Sequence, residues 1–214
     1  LHIGHMGCYA ALPGLAAVTD AAVARGKTCV LVCVELSSLH LQPPTGELDQ
    51  VIAHALFSDA AAAVAVVPGG EGLRLVDVVA RTDVASADMM TWDVTDHGFV
   101  MGLSPRIADV LERNVGGLVD ELLSRHGLTR DRVAAWAVHP GGPKILDVVE
   151  EQLDVELEVS RGVLRDFGNC SSATVLLILD RIVREETLSR GDHIVALAFG
   201  PGLTLYAGLL QQHS

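Results

Sequence analysis

The chain has 214 residues, half of them apolar and only 4% aromatic, with a mean hydropathy of +0.38 and a formal charge of −12 at pH 7. A chain of this length suits one domain or two halves of one and can bury roughly two-thirds of its unfolded surface. The acidic balance argues against a nucleic-acid binder, which needs a basic stripe to neutralise phosphates, and it leaves few cations for an anionic cofactor.

No run approaches the ~20 apolar residues a membrane span needs, and Val175-Leu176-Leu177-Ile178-Leu179 is closed off by Asp180 and Arg181. Neither a signal peptide nor a metal-ligand spacing of Cys and His is predicted. Of the four cysteines, Cys29 and Cys33 share one face of a strand-like run, where small buried thiols are common. A reducing, cytoplasmic compartment is expected, in which the Asn169-Cys170-Ser171 sequon has no meaning. The chain opens on Leu1, with Cys8 close behind, and reads as a fragment of a longer protein.

In chain order, residues 8–24 are rich in Ala and Leu and predict a buried helix, with Pro13 near its first turn and Arg25-Gly26 as its stop. Residues 28–35 predict a central strand, 37–47 a loop and 48–56 a short helix. Residues 60–67 predict a strand that pairs as a hairpin with 73–81 across Pro68-Gly69-Gly70. Residues 82–104 are irregular, 105–126 carry helical spacing up to Gly127, and 129–132 resemble a capped turn. Residues 133–138 predict a buried strand, 145–153 a helix, 150–158 a solvated acidic face and 171–186 another helix. Residues 192–199 and 203–210 predict a strand pair around Gly200-Pro201-Gly202.

Cys8, a small-residue helix, Arg25-Gly26 and a strand are echoed by Asn169-Cys170, a helix, Arg190-Gly191 and a strand. The echo would set Cys8 and Asn169 at the starts of two equivalent helices. Alternating strands and helices favour a layered α/β fold.

Three polar residues carry potential chemistry. Cys8 follows Gly7 at a predicted helix start, where free N–H groups and partial positive charge favour a thiolate; read alone, it is equally a buried, inert thiol. His139 ends an apolar strand before Pro140-Gly141-Gly142-Pro143, the end of a strand at which α/β folds bind ligands, or else it is a satisfied core histidine. Asn169 could cap a helix or donate its amide to an enolate oxygen. His2, His5, His40, His54, His97 and His126 have no ligand spacing and read as surface or loop residues.

Five blocks then fall in one order: Gly7-Cys8-Tyr9-Ala10, Leu56-Phe57-Ser58-Asp59-Ala60, His139-Pro140-Gly141-Gly142-Pro143-Lys144, Gly168-Asn169-Cys170-Ser171-Ser172 and Phe199-Gly200-Pro201-Gly202-Leu203-Thr204. Together they resemble the type III polyketide synthases, the chalcone-synthase-like branch of the thiolase-like condensing enzymes. Leu39-His40-Leu41-Gln42-Pro43 resembles bacterial members, near the dihydroxyphenylacetyl-CoA-forming group.

The resemblance implies a thiolase-like layered αβαβα fold with its second half complete and its first half mostly missing. Residues 1–60 would be the remnant of the nucleophile-bearing half, and 61–214 the half carrying His139 and Asn169. It implies that Cys8 takes an acyl starter from coenzyme A, and that His139 holds Cys8 as a thiolate. His139 and Asn169 would then stabilise the enolate formed when malonyl-CoA loses CO2. Phe57 would be the gate phenylalanine, Phe199, Gly200, Pro201 and Gly202 would line the pocket, and Gly141, Gly142 and Pro143 would lie near the coenzyme. Partners would be acyl-CoA, malonyl-CoA and a second copy of the full-length chain, with no cofactor or metal, no nucleic acid and no membrane. The residues aligned with a second gate, Met101 to Ser104, carry no phenylalanine. Alternatives are a ketoacyl-synthase-III-like enzyme and a truncated, non-catalytic remnant; the residues around Cys8 do not fit a papain-like protease.

Overall fold

The computed structural model describes residues 1–96 and 98–213, so the reading of His97 lies outside the described residues. A mixed four-stranded sheet in the order β3-β8-β7-β6 forms its centre. Its strands are β3 (Leu73–Thr82), β6 (Val133–Val138), β7 (His193–Gly200) and β8 (Thr204–Gln212). β6 and β7 run parallel, while β7–β8 and β3–β8 are antiparallel.

Side chains alternate across a strand, and β7 shows why this sheet needs cover on both faces. Val195, Leu197 and Phe199 enter a core with α3 (Ile107–Ser124) and α4 (Pro143–Leu153), while Ile194, Ala196 and Ala198 enter one with α1 (Ala11–Arg25) and α6 (Ser172–Glu185). α6 turns Val175, Ile178, Leu179 and Ile182 inward at three- and four-residue spacing. Beyond α1 and α6 lies a second sheet, the antiparallel pair β1 (Cys29–Glu35) and β2 (Ala60–Val66). The layers therefore run helix, sheet, helix, sheet. Four of the five expected layers are present among the described residues.

That missing layer corrects the reading of residues 28–35 as a central strand. Val30, Val32 and Val34 of β1 are 57–59% exposed, and only the face carrying Cys33 is covered. The predicted hairpin of 60–67 with 73–81 does not form, because β2 pairs with β1 and β3 pairs with β8. The boundary expected at residue 60 thus falls on the first residue of a strand belonging to the smaller sheet, and the two sheets divide between β2 and β3. The irregular stretch 82–104 contains a second correction: a 3-10 turn and the hairpin of β4 (Met90–Thr95) and β5 (Gly98–Leu103). Trp92, Phe99 and His40 pack edge-on there, a cluster of long-range contacts with no local signature.

The acidic stretch 150–158 leads into α5 (Glu158–Phe167), a helix not anticipated. Glu150 accepts from the Leu157 N–H at 2.9 Å and from the Arg161 guanidinium, which also reaches Asp147 at 2.6 Å. Those bonds hold the Glu150 carboxyl below its ordinary range, the Arg161 hydrogen bond being the largest cause. Residues 7–25 form the one stretch among those described that is long and apolar enough to cross a membrane. Leu12, Leu15 and Ala22 of that stretch are buried against the sheets, which accounts for its composition.

Candidate active site

Cys8 lies in a 3-10 turn, Gly7–Tyr9, that leads into α1. Its position is set from behind by the turn after β7. A Cβ on Gly200 would meet the Tyr9 ring at 2.6 Å and the Met6 carbonyl at 3.2 Å, so only glycine lets β7 come this close. Tyr9 also stacks on Tyr206 with ring centres 5.1 Å apart.

His139 leaves the C-terminal end of β6, its N–H donating to the Leu197 carbonyl at 2.8 Å, and α4 begins four residues later. Asn169 lies between α5 and α6. Its N–H donates to Leu56 O at 2.8 Å, its carbonyl accepts from Ser58 N–H at 3.0 Å, and its side-chain Oδ1 accepts from Ser171 N–H at 2.9 Å. Asn169 is therefore not the cap of α6, which is Ser171. With Oδ1 engaged, the amide nitrogen is left without a partner among the described residues.

Cys8, His139 and Asn169 all line one cavity of about 220 Å³. Its other walls are mostly apolar and include Met90, Met101, Leu103, Ile107 and Leu111. Phe57, Phe199, Gly141, Gly142 and Pro143 line it as well. Gly200, Pro201 and Gly202 do not; Gly200 lies behind Tyr9 and Pro201 behind Gly7, where they support the cysteine turn. Among the described residues no group of His, Cys, Asp and Glu is arranged to hold a metal.

Burial dominates the electrostatics. Cys8 is 5% exposed, and desolvation pushes its thiol up to about 12, against a smaller opposing effect from a hydrogen bond with the Ser171 side chain. His139 is 1% exposed, and burial brings its imidazole down to about 3. Among the described residues neither of its ring nitrogens has a hydrogen-bond partner. Burial thus disfavours the charged form of each group, the thiolate of Cys8 and the imidazolium of His139. A buried imidazole with two unmet nitrogens is costly, and it has that cost beside a cavity of ligand size.

Several neighbours of the site were not picked out by sequence reasoning. Ser171 holds a strained backbone at φ 49°, ψ −127°, and its side chain favours the Cys8 thiolate. Glu35, at the end of β1, accepts from both the N–H and the hydroxyl of Ser172 and ties the second sheet to the start of α6. Ser171 and Ser172 stood in the quoted Gly168–Ser172 block, but nothing in a sequence says that two serines turn toward a thiol and a carboxylate from another strand.

Comparison with known proteins places this geometry. Residues 78–213 match the model of the chalcone and stilbene synthases, C-terminal domain. The chain is 34% identical over 215 residues to 3,5-dihydroxyphenylacetyl-CoA synthase of Amycolatopsis orientalis, covering 96% of this chain and 58% of that one. It is 35% identical over 207 residues to 1,3,6,8-tetrahydroxynaphthalene synthase of Streptomyces peucetius subsp. caesius, covering 92% of this chain and 55% of the relative. The crystal structure of 1,3,6,8-tetrahydroxynaphthalene synthase from Streptomyces coelicolor A3(2), a bacterial type III polyketide synthase, superposes with a TM-score of 0.93 at 29% identity, over 99% of this chain and 62% of that one. The chain thus spans somewhat more than half the length of these relatives. By its matched domain, its relatives and its fold, it belongs to the chalcone and stilbene synthase family of type III polyketide synthases.

Proposed function

We propose that the chain carries the centre of a decarboxylative Claisen condensation, an acyl transfer in which malonyl-CoA extends an acyl starter held on Cys8. The observation that carries the reading is the meeting of Cys8, His139 and Asn169 on one apolar cavity, with both His139 nitrogens unpartnered among the described residues. The named relatives make polyketides, and one of them an acyl-CoA.

In the first half-reaction the Cys8 sulfur attacks the starter thioester carbonyl, His139 takes the thiol proton, and coenzyme A leaves with that proton as a free thiol. Among the described residues no hydrogen bond occupies the imidazole nitrogens, so one of them is open to accept the thiol proton as the sulfur attacks. In the second, the malonyl thioester oxygen accepts hydrogen bonds from the imidazole N–H and the Asn169 amide. The C–C bond to the carboxylate breaks, CO2 departs, and its electron pair becomes an enolate held by those two donors. The enolate carbon attacks the Cys8 thioester and the sulfur leaves, giving a β-ketoacyl-CoA lengthened by two carbons. An amide and an imidazole stabilise the enolate without fully protonating it, as a stronger acid would. Phe57 presents an apolar surface beside the carboxylate, which favours its loss as CO2.

The reading includes coenzyme A thioesters as the only small-molecule partners, a homodimer in the full-length protein, and a reducing cytoplasm, which suits four free thiols. Incubation with acetyl-CoA and malonyl-CoA, followed by intact-mass measurement, should give an acyl adduct on Cys8 and release of CO2. An adduct that persists in Cys8→Ala would overturn the assignment.

A further inference from the structure

One wall of the cavity belongs to neither of the layered sheets. The hairpin of β4 and β5 pairs only with itself among the described residues, and a two-stranded unit is marginal alone. Side chains alternate across a strand, so the cross-strand pairs Met90–Leu103, Trp92–Met101 and Val94–Phe99 share one face of the hairpin. Met90, Met101 and Leu103 of that face line the cavity together with Cys8 and His139.

Successive residues of a strand turn their peptide groups to opposite edges, and those of Phe99 and Met101 face away from β4. Side chains cover that edge in place of a strand. Gln50 Nε2, on α2 (Leu48–Leu56), donates to the Met101 carbonyl at 2.8 Å. Gln42 Nε2 donates to the Phe99 carbonyl at 3.2 Å, and the Phe99 N–H donates to His40 Nδ1 at 3.3 Å. Gln42 is itself pinned, its amide donating also to the His40 carbonyl at 2.9 Å and its backbone N–H to His54 Nε2 of α2 at 3.2 Å.

Burial along residues 41–50 is the inverse of what hydrophobicity dictates. Leu41 and Leu48 are exposed, while Gln42 and Gln50 are the two residues of that stretch that turn inward. Fixing a long amide costs rotamer entropy, and the net return of a hydrogen bond is modest. What the two amides hold in place is the wall of the cavity.

We propose that Gln42 and Gln50 are positioning residues that latch the β4–β5 hairpin over the cavity and so control the access of water and solutes to Cys8. The latch itself needs nothing from the condensation reading. Its consequence for the chemistry rests on that reading: an enolate reached by water takes a proton from it, giving acetyl-CoA and hydroxide, and no C–C bond forms.

Alkylation of Cys8 by iodoacetamide at a fixed pH, followed by peptide mapping, tests the latch, with the buried Cys170 as internal control. Gln50→Met keeps the length of the side chain and loses the donor. It should speed alkylation of Cys8 about fivefold, and combined with Gln42→Met about thirtyfold, as the loss of one and then two hydrogen bonds depopulates the closed wall. Gln50→Lys retains a donor and should stay near the parent rate, and Cys170 should react as slowly as in the parent throughout. An unchanged Cys8 rate in the double variant overturns the proposal. So does an equal acceleration at Cys170, which would mark general loosening, or a Gln50→Lys rate as fast as that of Gln50→Met. Acylation of Cys8 by acetyl-CoA tests the condensation reading separately: its failure would sink that reading, while the alkylation comparison still decides the latch.

Discussion

Asn169 is clamped across Phe57: its N–H donates to the residue before the phenylalanine at 2.8 Å, and its carbonyl accepts from the residue after it at 3.0 Å. These two bonds form an isolated parallel bridge between segments more than a hundred positions apart in the chain. They fix the amide and the aromatic ring to one piece of backbone on the cavity wall. A shift of either residue moves both.

The clamp depends on Gly168, whose φ of 75° lies in the left-handed region and whose missing Cβ would meet Leu56 O and Ser58 Oγ at 3.0 Å each. Gly168→Ala combines backbone strain with a backbone contact that cannot yield. It should lower unfolding free energy by about 1–3 kcal/mol and reduce Cys8 acylation by displacing Asn169. Urea denaturation and intact-mass acylation check the two effects, and an unchanged urea midpoint would show that the clamp is not under this constraint.

Ser171 occupies backbone space normally left to glycine, at φ 49° and ψ −127°. Ser171→Gly should therefore stabilise the fold by about 1 kcal/mol, the relief of strain exceeding the added flexibility of glycine. The same substitution removes the hydroxyl that favours the Cys8 thiolate. Site-resolved alkylation should then slow at Cys8 while thermal stability rises. A faster-alkylating Cys8 would contradict the role of the hydroxyl.

The thiol pushed up to about 12 has a pH signature of its own. Alkylation needs the thiolate, so modification of Cys8 by iodoacetamide should rise about tenfold per pH unit from pH 7 to 9, with no plateau. Peptide mapping distinguishes Cys8 from the half-buried Cys29. A plateau below pH 8 would mean that His139 and Cys8 rest as an ion pair, and that burial does not decide their charge.

For His139 the sign is the reverse. A folded-state imidazole held down at about 3 binds protons less tightly than the unfolded one near 6.5. Its neutral form therefore contributes stability in full above about pH 6.5, and that contribution is lost as pH falls toward 3. His139→Gln cannot titrate, so its urea midpoint should fall less between pH 7 and pH 4 than that of the parent. Parallel losses in both proteins would place the acid sensitivity elsewhere.

Much of the architecture is legible in local pattern. α3 has a clear helical period, β6 and β7 are short apolar runs bounded by turn residues, and a breaker such as Gly26 after α1 at φ 59° lies where the residues place it. Pairing is not legible in the same way. β3 has the alternation and turn of a hairpin partner for β2, but β8 supplies a longer, buried partner and wins. The β4–β5 hairpin escapes because its packing is contributed by His40, Gln42 and Gln50 from distant segments. α5 escapes because its charges mask a helix whose stability rests on Arg161 reaching back to α4.

By itself, the sequence determined the layered α/β class, the family, and which three polar residues to watch, because periodicity and short motifs are local properties of a chain. Only the tertiary structure decided that those residues share one cavity, that burial disfavours charge on the thiol and the imidazole, and that Ser171, Glu35 and Lys144 surround them. The physical reason is that protonation and hydrogen bonding depend on what surrounds a group. For Cys8 and His139 those surroundings come from strands, helices and turns spread across nearly two hundred positions of chain.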